Sequence, residues 1–162
     1  LIDGFRKRNF STFLVTNGTT PEILESMSTY PDNLYITLPA PTKESYERVC
    51  NPQIKDGWEK LNTSLELFPK IKTKRRILRL TLVKDFNMNN LREYSKLIEK
   101  ASPDFIEAKA YMYVGYSRKR LELKNMPRFE DIIEFCNALE IESGYKPVDS
   151  SSDSRVVLLS KK

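Results

Sequence analysis

Short apolar strands alternate with helices along most of this chain, and that order limits the fold more than any other feature of the sequence. The pattern favours parallel strands joined by right-handed crossovers, in a doubly wound sheet or in part of a (βα) barrel. Strands are predicted at Leu34 to Leu38, Ile77 to Val83, Phe105 to Met112 and Val156 to Leu159. Helices are predicted at about 21–28, 42–49, 56–68, 91–101 and 127–141, with a serine-rich loop before the last strand.

The two faces of the central strands differ, which favours the barrel. Leucine, isoleucine or alanine fills one face of each strand, whereas a doubly wound sheet is covered by helices on both faces and needs both to be apolar. The fold class expected is therefore α/β, with βα units of a partial barrel whose polar lumen holds a ligand. A purely structural ion-pair network in a closed barrel is the alternative. The polar face carries Tyr35, Thr37, Arg79, Thr81, Glu107, Lys109 and Tyr111.

Composition excludes several kinds of catalysis. The 162 residues contain no histidine, which removes Ser-His-Asp and Cys-His catalysis and histidine metal ligation and leaves acid-base chemistry to Asp, Glu, Lys or Tyr. Cys50 and Cys136 match no zinc or iron-sulfur spacing, so free thiols and no metal ligands are expected. No apolar run approaches the roughly 20 residues of a membrane span. A cytoplasmic protein is expected, and its net charge of +5 permits a polyanionic partner.

The segment Leu14 to Pro21 predicts a strand that runs through a turn into a helix. Asn17-Gly18 is typical of turns, and Thr19 or Thr20 can cap a helix that has Pro21 at its first position. At the carboxyl end of a parallel strand such a junction can meet a ligand, although capping alone would also explain these residues. Leu1 to Asn9 reads as the last turns of a helix, which indicates a fragment without its N-terminal part.

Six segments in order, TFLVTNGTTPE, LYITLPAPTKESY, RLTLVKDFNMNN, SPDFIEAKAYMYVGYSRKRL, NMPRFEDI and SRVVLL, carry a resemblance to a known family. The chain resembles the C-terminal half of archaeal-type 4-demethylwyosine synthases, which are radical S-adenosylmethionine enzymes. The resemblance implies that residues 1–162 are the later part of one radical-SAM barrel domain with a family-specific C-terminal extension. It implies a lyase of tRNA wybutosine biosynthesis that condenses pyruvate with N1-methylguanosine beside the tRNA(Phe) anticodon. The two [4Fe-4S] clusters of such enzymes would be ligated outside this chain, so the fragment alone is expected to be inactive.

The same resemblance implies roles for residues at the strand ends. Thr16, Asn17 and Thr19 would lie close to S-adenosylmethionine, and Thr37 could reach the same ligand. Arg79 could hold a carboxylate, either that of the methionine moiety or that of pyruvate.

Lys109 is the candidate catalytic residue. A lysine in a confined site can lose its proton and form a Schiff base with a 2-oxo acid such as pyruvate. Two alternatives remain open: Glu107 on the same face pairs with Lys109 and keeps it charged, or a lysine of the missing half serves instead.

Tyrosines and basic residues alternate just after the strand 105–112, at the expected active-site rim. Aromatic and basic groups there suit the stacked bases and phosphates of a tRNA anticodon loop, although a solvated basic loop is the alternative. The basic run Lys70 to Arg76 precedes its strand and should lie on the opposite rim. Rival functions are a non-catalytic RNA-binding module and a Schiff-base barrel aldolase; a monomer is expected. The substrate or tRNA residues predicted are Glu107, Tyr111, Tyr113, Tyr116, Arg118, Lys119 and Arg120.

Overall fold

A computed structural model describes residues 1–161 as a mixed α/β fold built on one six-stranded sheet. None of the helices it describes combines the length and apolar character needed to cross a bilayer. The strands are β1 (Phe13–Thr16), β2 (Asn33–Thr37), β3 (Arg75–Leu82), β4 (Phe105–Ala110), β5 (Lys146–Ser151) and β6 (Val156–Ser160). The helices are α1 (Ile2–Arg6), α2 (Pro21–Ser26), α3 (Lys43–Cys50), α4 (Gly57–Leu67), α5 (Leu91–Ala101) and α6 (Phe129–Ser143).

Strands β1 to β4 are parallel and adjacent in chain order, as the alternation of elements predicts. The sheet order is β1-β2-β3-β4-β6-β5, and the register aligns Val15 with Tyr35, Tyr35 with Ile77, and Ile77 with Phe105. Because the four strands run in one direction, their carboxyl ends meet at one edge of the sheet, which we call the carboxyl edge.

The C-terminal part of the sheet corrects two predictions. The segment expected to be a serine-rich loop contains β5, and β6 runs antiparallel to β4 rather than parallel to it. The turn between β5 and β6 is too short for a crossover, so the two strands form a hairpin that pairs with the free side of β4. β5 is an exposed edge strand with Pro147 beside a register shift, and such a strand needs no apolar face.

The buried core lies on one face of the sheet. Leucines of β2 and β3 and alanines of β4 pack against the apolar sides of α4, α5 and α6, as the strand patterns predict. Arg79, Glu107 and Lys109 are only half-buried on the opposite face, and Val15 of β1 is exposed there. The sheet therefore has a face under helices and an open face whose central strands carry charge. The core includes Leu34, Ile36, Leu78, Leu80, Leu82, Ile106, Ala108, Leu61, Leu65, Tyr94, Ile98, Ile132, Phe135 and Leu139.

Asp32 joins the amino ends of the first three strands. Its carboxylate accepts hydrogen bonds from the backbone N–H of Thr12 (2.9 Å) and from the Thr12 hydroxyl (2.8 Å). Lys74 Nζ lies 2.8 Å from the other carboxylate oxygen, and the guanidinium of Arg6 lies 3.6 Å away. Hydrogen bonds from Lys74 and Thr12 hold the pKa of Asp32 well below its ordinary value. A buried carboxylate thus links β1, β2 and the segment that enters β3.

We expect Asp32→Asn to lower the free energy of unfolding at pH 7, with an effect that shrinks in acid. A carboxyl whose pKa is lowered by folding contributes stability that is complete above its unfolded pKa of about 3.9. That contribution is lost as the pH falls through the lower pKa of the folded state. Urea unfolding at several pH values between 7 and 2.5 measures the difference between wild type and variant.

Asp153→Asn is the matched control, because Asp153 is exposed in the β5–β6 turn and forms no ion pair with any described residue. A destabilisation by Asp32→Asn that is the same at pH 7 and below pH 3 would contradict a stabilising role of the ionised Asp32 carboxylate.

Candidate functional site

Three predicted site residues form one row across the open face. The register pairs Thr37 of β2 with Arg79 of β3, and Arg79 with Glu107 of β4. The next row toward the carboxyl edge pairs Thr81 with Lys109. Parallel pairing thus brings these polar side chains together from three separate segments.

Arg79 and Glu107 form an ion pair within this row. Arg79 Nε donates to Glu107 Oε1 at 2.7 Å, and both side chains are half-buried. The guanidinium carbon also lies 4.8 Å from the centre of the Tyr35 ring, close enough for a cation–π interaction. Only Nε of the guanidinium has a partner among the described residues, so its two terminal nitrogens can still receive a carboxylate.

The pair corrects one expectation about Lys109. Glu107 pairs with Arg79 on the neighbouring strand and not with Lys109 on its own strand. Residues two apart on one strand share a face but are separated along it by more than 6 Å, whereas lateral neighbours are about 5 Å apart. The half-buried side chain of Lys109 forms no hydrogen bond or ion pair with any residue in the described range 1–161. Its amine is therefore available to a ligand on the open face.

The turn after β1 is held by its own side chains. Asn17 Oδ1 accepts from the backbone N–H of Thr19 (3.1 Å) and from its hydroxyl (2.8 Å), while Thr16 Oγ1 accepts from the N–H of Gly18. By strand alternation Thr16 shares the helix side of the sheet with Leu14, not the open face. Thr20 is the N-cap of α2 and Pro21 follows at the first position, as predicted, although no side-chain hydrogen bond caps the helix.

Asn17, Thr19 and Thr37 share a cavity of about 300 Å³ at the carboxyl edge. Their oxygen and nitrogen atoms face apolar groups that follow β2, a combination suited to a ligand with both a flat ring and hydroxyl groups. Burial raises the pKa of the Cys50 thiol in the wall to about 11, so that thiol stays protonated at neutral pH. Arg79 does not line this cavity. The other lining residues are Pro39, Tyr46, Cys50, Pro52, Gln53 and Ile54.

The loop after β4 presents part of the predicted RNA-binding set. Tyr116 is 74% exposed, and Lys119 Nζ lies 4.9 Å from the centre of its ring. The guanidinium carbon of Arg118 lies 5.3 Å from the centre of the Tyr113 ring. Two aromatic rings, each with a cation beside it, therefore stand at the carboxyl edge.

Two other members of that set have structural roles. Tyr111 is buried, and its hydroxyl donates to Ser117 at 2.9 Å. Arg120 donates to the backbone oxygens of Val49 and Cys50 at the C-terminal end of α3, where a cation also interacts favourably with the helix dipole. The alternation of tyrosines and basic residues in the sequence does not show which of these side chains make internal contacts and which are exposed.

Asn87 is a positioning residue that sequence reasoning missed. Its fully buried side-chain amide donates to the carbonyls of Pro39 and Thr81 and accepts from the N–H of Val83. It thereby ties together the carboxyl ends of β2 and β3. Nothing in the run Asn87 to Asn90 distinguishes this asparagine from its exposed neighbours.

The residues described do not form a metal centre. Among positions 1–161, no three or more Cys, Asp or Glu side chains are grouped so that they could hold a metal ion. Cys136 is buried in the core, and burial raises the pKa of its thiol to about 12. The thiols of Cys50 and Cys136 both stay protonated at neutral pH, and neither belongs to a group of three or more potential ligands within the described residues.

Comparisons with known proteins agree with the resemblance seen in the sequence. Residues 100–161 match the family model for wyosine base formation. The S-adenosyl-L-methionine-dependent tRNA 4-demethylwyosine synthase of Pyrococcus abyssi is 50% identical over 98% of this chain and 47% of its own length. A structure of TYW1 with a lysine-pyruvate adduct bound covers 99% of this chain and 50% of that protein, with a TM-score of 0.87 and 35% identity.

The chain is similar, over nearly its whole length, to half of a tRNA 4-demethylwyosine synthase. It spans about half the length of the archaeal synthases that it matches. Coproporphyrinogen III oxidase of Escherichia coli, a radical SAM enzyme, matches 92% of the chain and 34% of its own length with a TM-score of 0.53. At 13% identity this match concerns the fold alone. The predicted resemblance to the synthases is confirmed.

Gly18 offers a test of how tightly the turn at this cavity is built. Its φ is +71°, and an added Cβ would lie 2.8 Å from Leu61 Cδ1 and 3.1 Å from Ile36 Cγ2. We expect Gly18→Ala to lower the free energy of unfolding through both backbone strain and overpacking, by about 2 to 4 kcal/mol in sum. Chemical denaturation measures this loss.

Gly144→Ala is the matched control, because Gly144 has a φ of +72° and open space around it. This variant should lose only the part of the free energy of unfolding that backbone strain removes, about 1 kcal/mol. Equal losses for the two variants would mean that the turn is not packed against the core as described.

Proposed function

We propose that this chain is the C-terminal, ligand-binding half of a cytoplasmic tRNA 4-demethylwyosine synthase. The intact enzyme would condense pyruvate with N1-methylguanosine beside the anticodon of tRNA(Phe). The observation that carries this proposal is the set of polar groups at the carboxyl edge, in a chain 50% identical to such a synthase. The chain spans about half of these relatives, so the proposed activity would belong to the intact protein.

The proposal includes a partial barrel. Four parallel strands with helices on one face and charge on the other are what part of a barrel with an occupied lumen requires. β1 exposes Phe13 and Val15, which are 63% and 49% accessible, and strands of the other half could cover them. In this proposal residues 1–162 are the later part of one barrel domain, and the β5–β6 hairpin belongs to its C-terminal extension.

The cavity beside Asn17, Thr19 and Thr37 would bind S-adenosylmethionine. Hydroxyl and amide groups suit a ribose, and the Tyr46 and Ile54 side of the cavity suits an adenine ring. When bound, S-adenosylmethionine and its [4Fe-4S] cluster supply a 5'-deoxyadenosyl radical. The cysteines of both clusters would come from the other half, because Cys50 and Cys136 belong to no group of potential ligands among the described residues. Thr16 would have an indirect role. Its hydroxyl accepts a hydrogen bond from the backbone N–H of Gly18 and so helps to hold the turn.

Arg79 and Lys109 would hold pyruvate on the open face. The terminal nitrogens of Arg79 would bind the carboxylate, with the guanidinium held by Glu107 and Tyr35. The amine of Lys109 would attack the keto carbon, so that a C=N bond forms, the C–O bond breaks and water leaves. TYW1 is known with a lysine-pyruvate adduct, and Lys109 is this chain's candidate for that lysine.

The exposed loop after β4 would contact the anticodon loop. Tyr113 and Tyr116 can stack on unpaired bases, while Arg118 and Lys119 contact phosphates. Tyr111 and Arg120 would support this loop from within, because their polar groups are bonded inside the chain.

Trapping the pyruvate adduct tests the role of Lys109. The natural full-length protein is incubated with pyruvate, reduced with borohydride and digested, and mass spectrometry locates the modified lysine. We expect the adduct on Lys109, its loss in Lys109→Ala and a fall in 4-demethylwyosine formation by at least 100-fold, in the range of a lost catalytic group.

Lys146→Ala, on the exposed edge strand β5, should leave both the adduct and the product unchanged. If the adduct persists on another lysine in Lys109→Ala, the catalytic role of Lys109 is contradicted. The proposed activity of the enzyme is not contradicted by that result. Absence of 4-demethylwyosine with the unaltered protein, supplied with pyruvate, S-adenosylmethionine, methylated tRNA and a one-electron reductant, would refute the activity itself.

A further inference from the structure

A second cavity opens at the carboxyl edge, on the side of β4 away from the cavity beside Asn17, Thr19 and Thr37. Its volume is about 770 Å³, and it lies between the loops after β3 and β4, the start of α6 and the β5–β6 turn. Four of its lining side chains are cationic and two are acidic. They are Lys84, Lys124, Arg128, Arg155, Asp85 and Asp131.

The frame of this cavity is fixed by hydrogen bonds between the loops. The backbone N–H of Lys84 donates to the carbonyl of Asn125 at 2.9 Å, and the buried amide of Asn125 donates to the carbonyl of Lys84. The N–H of Ala110, the last residue of β4, donates to the carbonyl of Arg155 at 3.0 Å. These hydrogen bonds therefore attach the loops that form the walls of the cavity to one another and to β4.

Two of the cations form no salt bridge among residues 1–161, although the charge of Arg128 helps to lower the pKa of Asp131. Lys84 pairs with Asp131 at 2.9 Å and Lys124 pairs with Glu122 at 3.0 Å, but neither Arg128 nor Arg155 forms an ion pair. A guanidinium nitrogen of Arg155 donates to the carbonyl of Pro127 at 3.4 Å, which keeps this half-buried side chain at the wall. Two guanidinium groups thus face one cavity with most of their donors unused.

This arrangement suits a phosphodiester. A guanidinium binds two phosphate oxygens with parallel N–H bonds and never loses its charge at physiological pH. Leu123 is 61% exposed beside the cations and can contact a ribose. The loop that carries Tyr113 and Tyr116 also supplies Leu123 and Lys124, so a strand of RNA stacked on the tyrosines can continue to this cavity.

We propose that the cavity binds backbone phosphate of the tRNA, through Arg128 and Arg155. This inference rests on the proposed function and extends its RNA-binding surface from the loop after β4 to the β5–β6 turn. None of the residues that line this cavity was among the site residues predicted from the sequence.

The test compares tRNA affinity of the natural full-length protein with that of Arg128→Gln/Arg155→Gln over a range of salt concentrations. We expect about a tenfold loss of affinity, because each arginine donates charge-assisted hydrogen bonds to phosphate. The slope of log affinity against log salt should fall by about 1.4, because each phosphate contact to a single strand contributes about 0.7. Arg128→Lys/Arg155→Lys keeps both charges and should retain the wild-type slope.

Lys70→Gln/Lys72→Gln removes the same charge at the opposite edge of the sheet and should change affinity less than the arginine pair. If the variant with the Arg155 substitution does not fold, Arg128→Gln alone can be used, because Arg128 is exposed. It should give half of the change in slope. An arginine variant with wild-type affinity and slope overturns the phosphate site.

A loss of binding to inorganic phosphate with unchanged tRNA affinity would mean that a small anion occupies the cavity, which also overturns the proposal. Failure of the unaltered protein to bind tRNA would contradict the proposed function itself, so the two failures can be distinguished.

Discussion

The parallel pairing of β1 to β4, with helices packed on one face only, is the constraint on which the rest of the molecule depends. It brings four strand ends to one edge and leaves a face of the sheet that the described core does not cover. Unpaired charges on that face would cost several kcal/mol each once a ligand or further strands exclude water. The Arg79–Glu107 pair meets this requirement across two strands, and the side chain of Lys109 has no partner among residues 1–161.

The order of strands in the sheet also orders the chemistry along the carboxyl edge. The turns after β1 and β2 form the cavity with amide and hydroxyl groups, and the central strands β3 and β4 carry the charged row. Beyond β4 lie the tyrosine loop and the cavity with Arg128 and Arg155. In the proposed function, cofactor, pyruvate and RNA would thus bind side by side near this edge, as a reaction that uses all three requires.

Much of the fold could be predicted from the sequence because buried faces impose periodicity. Leu78, Leu80 and Leu82 alternate with Arg79 and Thr81 since the first set packs under helices. β5 gave no such signal, because an exposed edge strand buries neither face. The partner of Glu107 depends on the register between β3 and β4, which no single segment encodes. Lys84, Arg128 and Arg155 are far apart in the chain, so only the folded structure brings them to one cavity.

A structure of the natural full-length protein with S-adenosylmethionine bound would test the central claim most directly. We expect the ligand at the carboxyl edge, in hydrogen-bond contact with at least two of Asn17, Thr19 and Thr37, with its amino-acid end toward the open face. Binding that touches none of these residues, or that lies at the amino edge near Asp32, would contradict the assignment of this chain as the ligand-binding half.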